Sequence, residues 1–144
     1  MLFSILALSD NSVWGDGLLV FYEIFRYLEE AMERLRDSPL AQLRIEGMER
    51  TAAFEADLKY YLGENWSVSY TPRESVATYL RHLMEIEERD SDLLIAYVYH
   101  LYMGLLSGGQ ILRKKRQLFN RFPALTGSKK TKIGMQPRIN EPIL

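Results

Sequence analysis

Three glycines inside one strongly apolar helical stretch constrain this chain more than any other feature. From Tyr97 to Lys115 the sequence runs YVYHLYMGLLSGGQILRKK, with Gly104, Gly108 and Gly109 within two turns. A glycine in a helix interior costs roughly 1 kcal/mol relative to alanine, so three together mark a place where space matters. At helical spacing His100, Gly104, Ser107 and Gly108 share one face. On the residues alone three readings stay open. A flat ligand could lie almost on the backbone there, another helix could pack closely against a glycine seam, or the helix could stop at Ser107 and restart at Gln110. The Gly108-Gly109 pair also permits a kink.

The rest of the chain reads as helices. A first helix begins near Asn11 or Ser12, either of which could serve as its N-cap. Leu18, Phe21, Phe25, Leu28, Met32 and Leu35 recur every three or four residues and form its apolar stripe. Glu29, Glu30, Glu33, Arg34 and Arg36 read as its solvated face, and Ser38-Pro39 ends it. The Glu-x-x-His pairs of a carboxylate iron site are missing. A second helix spans 49–62, buries Phe54, Leu58, Tyr61 and Leu62, and stops at Gly63. Thr71-Pro72-Arg73-Glu74 has the form of a capping box with proline at the first helical position. It opens a third helix with Val76, Tyr79, Leu80, Leu83 and Ile86 inward. Asp90 or Ser91 caps the fourth, which carries the glycines and runs to about Phe119. No strand alternation and no internal repeat stand out, so the class is all-α, with a helical domain over 1–122 and a flexible, disordered basic tail over 123–144.

Composition removes several function classes. With no cysteine among 144 residues, disulfides, thiolate metal sites and cysteine nucleophiles are excluded, and a reducing compartment fits. The apolar run Met1–Leu8 lacks a basic n-region and is too short to span a bilayer, so it reads as the remnant of a helix or loop, not a signal peptide. No segment reads as transmembrane. The net charge of −1 hides an asymmetry: nine Lys or Arg and one acid from Arg113 onward give +8, and the preceding part holds −9. A basic end can meet nucleic acid, an acidic protein or an anionic membrane. No nucleic-acid partner is expected, because no recognised motif is present and the aromatics lie in core stripes.

Two strings carry a resemblance. Tyr99-X-X-Tyr102-X-Gly104-X-Leu106-Ser107-Gly108-Gly109-Gln110 resembles the distal-helix signature of heme oxygenases. Arg50-X-Ala52-Ala53-X-Glu55-X-Asp57-Leu58, followed by aromatics, Gly63 and Trp66, resembles a second string of that family. Leu8-Ser9-Asp10 with Val13-Trp14, and Arg50-Thr51-Ala52-Ala53-Phe54-Glu55, are closest to the insect type. The match runs from about residue 8 to about 120. The resemblance implies an all-α fold holding heme between a proximal and a distal helix. It also implies an oxidoreductase that converts heme, substrate and cofactor together, to biliverdin, carbon monoxide and ferrous iron. Oxygen and electrons would be needed, the electrons from NADPH through a cytochrome-reductase-type flavoprotein. The location expected is cytoplasmic, at the cytosolic face of the endoplasmic reticulum. By position, the backbone of Gly104, Ser107, Gly108 and Gly109 would form the distal wall, and Tyr99, His100, Gly104 and Gly108 would contact heme.

The sequence departs from the family pattern in four ways. The family's proximal histidine lies on a helix N-terminal to this chain, whereas the only histidines here are His82 and His100. His82 reads as a solvated helix residue. His100 is either a hydrogen-bonded pocket histidine or the one candidate for the iron. Leu105 stands where the family has the carboxylate that orders distal water, and a leucine can neither donate nor accept. Phe25 replaces a tyrosine and Leu101 an arginine of the same network. The helices that follow the distal one, and their basic groups for the propionates, are absent, leaving Tyr99 and the run Arg113, Lys114, Lys115 and Arg116. The chain is therefore expected to be an incomplete version of the enzyme, truncated at both ends, binding heme weakly and prone to self-association. The alternative is a non-catalytic heme-binding or helical partner-binding module from a truncated gene product.

Overall fold

The computed structural model describes residues 11–110 and Lys114. Four helices account for most of them: α1 (Asn11–Arg34), α2 (Thr51–Leu62), α3 (Glu74–Arg89) and α4 (Leu94–Gly104). Short 3-10 turns at Ala41–Leu43 and Ser91–Leu93 join them, and a π-helical turn, Leu105–Gly109, continues α4. No strand occurs among the described residues, in agreement with the all-α reading. The expected end of the last helix at Phe119 and the tail over 123–144 lie outside the described residues.

The longest helix, α1, is the one the others pack around. Its middle is buried nearly all round, through Tyr22, Glu23, Ile24, Phe25, Tyr27 and Leu28. One core joins it to Phe54 and Leu58 of α2, Leu83 and Ile86 of α3, and Leu94, Val98 and Tyr102 of α4. Within the expected stripe Leu18, Phe25, Leu28 and Met32 are buried, but Phe21 is 43% exposed. By angle it belongs to the stripe, yet its ring stays open. Gly15 explains the close approach of α1 and α2, since a Cβ there would stand 2.5 Å from the Leu62 side chain.

Local chemistry accounts for the helix ends, with one correction. Gly63 follows α2 at φ +95°, where a side chain would be strained, and its N–H bonds the Lys59 carbonyl at 3.0 Å. Asp90 caps the 3-10 turn that leads into α4, accepting from the Asp92 N–H at 3.1 Å. The capping box at Thr71–Glu74 does not form. Arg73 is still extended (ψ 149°), α3 starts at Glu74, and no side chain bonds the helix entry. Glu74 is thus the first helical residue, not the third, and its carboxylate turns instead to Arg81 at 3.0 Å. Arg73 ties this entry to α1 through Asp16 at 2.8 Å. At the other end of α1, the Tyr27 hydroxyl donates to Glu87 of α3, and Arg34 grips the same carboxylate at 2.9 and 3.0 Å.

Candidate functional site

Helix α4 presents two unlike faces. Leu94, Val98 and Tyr102 are buried, whereas Tyr99, His100, Gly104 and Ser107 are exposed and Gly108 is half-buried. A Cβ built on Gly104 or on Gly108 would meet nothing within 4 Å among the described residues. The glycines therefore do not serve a close helix seam among the described residues, and the helix does not break at Ser107. The chain widens into a π turn over Leu105–Gly109 and is α-helical again at Gln110. Such turns are rare and occur often at functional sites. The Ser107 hydroxyl is used locally, donating to the Met103 carbonyl at 2.8 Å. Tyr99, Met103 and Leu106, 61%, 48% and 43% exposed, flank the stripe. The result, among the described residues, is a bare strip of backbone edged by apolar side chains and open on its outer side.

The other expected site residues fall as follows. His100 lies on the open side, its ring edge-on to Tyr99 with centroids 5.7 Å apart. His82 is exposed but not merely solvated, since its Nε2 pairs with the Tyr97 hydroxyl at 2.9 Å across α3 and α4. No group of three or more metal-ligating side chains occurs among the described residues. Leu101 and Leu105 are half-buried against the core and Phe25 is fully buried, so all three positions where the resemblance expects polar groups are apolar and packed. Arg113, Lys115 and Arg116 lie outside the described residues; Lys114 is exposed.

The inner side of α4 holds a polar cluster that sequence reasoning missed. Tyr102 is 7% exposed, and its ring meets Phe25 edge-on with centroids 4.8 Å apart. Its hydroxyl donates to Glu29 Oε1 at 2.9 Å. Burial, then the Glu29 charge and hydrogen bond, push the phenol well above its ordinary range. Glu29 also accepts from the Arg50 N–H at 2.6 Å, the Thr51 N–H at 3.3 Å and the Thr51 hydroxyl at 2.5 Å. Placing Glu29 on the solvated face of α1 was therefore wrong, although Glu30 and Arg36 are exposed there. The signal was present: Tyr22, Phe25, Glu29 and Met32 follow the three-and-four spacing of the buried face. Beside this cluster a cleft of about 670 Å³ is lined by Tyr22, Glu29, Met32, Glu33, Arg44 and Tyr102, among others. It and a second cavity of about 130 Å³ near Tyr70 and Arg73 lie away from the glycine stripe.

For a heme, the described residues therefore supply one wall and no enclosure. The bare stripe leaves room above the backbone, Tyr99 and His100 are exposed beside it, and no described side chain faces it from the other side. None of the described helices is long and apolar enough to cross a membrane.

Comparison with known proteins gives a consistent picture. The heme oxygenase family model matches residues 5–134. Chicken heme oxygenase 1 is 37% identical over 105 residues, 72% of this chain and 36% of its own length. The heme oxygenase of Rhodella violacea is 35% identical over 109 residues, covering 75% of this chain and 46% of its own length. Human heme oxygenase 1 is 39% identical over 100 residues, 67% of this chain and 34% of its own. The chain thus spans about a third to a half of the curated relatives it matches. No solved structure matches.

Proposed function

Because this chain belongs to the heme oxygenase family, we propose that it binds heme on the open stripe of α4 and takes part in its oxidative opening to biliverdin, carbon monoxide and ferrous iron. The observation that carries the proposal is the stripe itself: Gly104 and Gly108 bare, with nothing among the described residues within 4 Å of either Cβ position, at a π turn that continues α4. Heme supplies both the iron that handles oxygen and the ring that is cleaved. The chain's own residues do simpler things. Gly104, Gly108 and Gly109 let the ring approach the backbone. Ser107, held by Met103, keeps its hydroxyl off the ring. Tyr99 is the group for a propionate, and His100 is the one polar side chain on the stripe able to hold a proton or meet the iron. Leu105 excludes water where a carboxylate would order it. Oxygen and electrons come from outside the chain, the electrons through an NADPH-dependent flavoprotein reductase.

A second reading is favoured by Phe25, Leu101 and Leu105, which are apolar and packed at the three positions where the resemblance expects polar groups. In that reading the chain holds heme without cleaving it. Hemin added to the purified protein should produce a saturable, shifted Soret band under either reading. With reductase and NADPH, only the enzyme converts that band to biliverdin absorbance. A protein with no saturable Soret change overturns both.

A further inference from the structure

Helix α2 opens without a cap of its own: Arg50 precedes it, and no side chain of that residue bonds the first turn. The open N–H groups of a helix start need acceptors, and here the acceptor comes from α1. Glu29 takes the Arg50 and Thr51 N–H groups and the Thr51 hydroxyl. A carboxylate at the start of a helix is held in direction by the backbone N–H groups that bond it. Its Oε1, shared with the Arg50 N–H, also receives the Tyr102 hydroxyl at 2.9 Å.

Tyr102 lies two residues before Gly104, about 200° around the helix, so it marks the side of α4 opposite the stripe. Three residues later the π turn begins. Leu105, where the turn starts, is only half-buried against the core, and Tyr102 is the last fully buried residue before it. We infer that Glu29 is a positioning residue for the heme-receiving face: anchored by the start of α2, it holds the Tyr102 hydroxyl and so sets the rotation and start of the Leu105–Gly109 turn. The inference rests on the function proposed above for what the stripe receives. The coupling itself, from α2 through Glu29 and Tyr102 to the turn, needs no heme.

That separation shapes the experiment. Amide hydrogen exchange is followed in the full chain without hemin, for wild type, Tyr102→Phe and Glu29→Gln. Tyr102→Phe keeps the ring against Phe25 and leaves the bonds at Arg50 and Thr51 intact. It should speed exchange across residues 105–110 by about tenfold, the loss that follows removal of one buried hydrogen bond to a charged group, and leave residues 51–54 unchanged. Glu29→Gln should speed both segments. If Glu29 only caps α2, Tyr102→Phe changes nothing at 105–110 and Glu29→Gln affects 51–54 alone; that pattern overturns the inference. Should Glu29→Gln fail to fold, Tyr102→Phe decides by itself. A hemin titration of the same proteins reads the other layer. A wild type that takes up no hemin while the exchange pattern holds refutes the proposed function and leaves the positioning role standing.

Discussion

Replacing Gly104 by alanine should make the protein more stable and a poorer heme binder. Gly104 has ordinary helical backbone angles, φ −62° and ψ −42°, so alanine fits without strain. Its Cβ would meet nothing within 4 Å among the described residues, so no clash there offsets the gain. Removing a helix-interior glycine then contributes about 1 kcal/mol, partly through the unfolded chain. For a domain of this size that raises Tm by roughly 3–4 °C. The same methyl group stands on the stripe and holds a flat ring off the backbone. A misfit on the order of 1–3 kcal/mol weakens hemin binding by about tenfold or more. Thermal unfolding without hemin and a Soret titration with it read the two effects separately. If Gly104→Ala lowers Tm by several degrees, something covers the stripe in the free protein and the ligand argument fails. If Tm rises and hemin affinity is unchanged, the glycine is not there for heme.

Gly15→Val should destabilise by about 1–3 kcal/mol, because even a Cβ stands 2.5 Å from Leu62; a urea midpoint equal to wild type would refute the close packing of α1 on α2. Glu87→Gln should cost about 1–3 kcal/mol, since Tyr27 and Arg34 both bond that carboxylate, with denaturant unfolding as the check. Burial lifts the phenol of Tyr70 to about 12 and that of Tyr102 further. A folded pKa raised above the unfolded value favours the folded state below the unfolded pKa of about 10 and loses that benefit as pH climbs through the folded one. Stability should therefore fall as pH rises beyond about 10, with late-titrating tyrosines visible in tyrosinate absorbance; a single transition near pH 10 for every tyrosine would contradict it.

The helices and most of the core were legible because their signal is periodic: three-and-four spacing marks Leu18, Phe25, Leu28, Leu83 and Ile86 whatever lies opposite. Gly63 and Asp90 were legible because each acts through its own backbone or its near neighbours. What failed depends on partners far along the chain. Phe21 keeps the right spacing yet stays exposed, since burial needs a covering element and spacing does not supply one. Thr71–Glu74 has the letters of a capping box, but extended backbone at Arg73 moves the helix start two residues on. Glu29 looked like one acid in a solvated row, and only the fold brings the start of α2 and Tyr102 to it. The glycine stripe was visible as a face, whereas the π turn, and the stripe's open side among the described residues, required the structure.

The most direct test of the account is paramagnetic broadening by hemin. Hemin is titrated into the isotopically labelled full chain, and loss of amide signal is mapped residue by residue. Broadening centred on Gly104, Ser107, Gly108 and Gly109, reaching Tyr99 and His100 and sparing the amides of α2, is what a ring seated on the open face of α4 produces. Broadening centred on Glu29, Met32 and Arg44 would place heme in the cleft on the other side, and the account of the glycine stripe would be wrong.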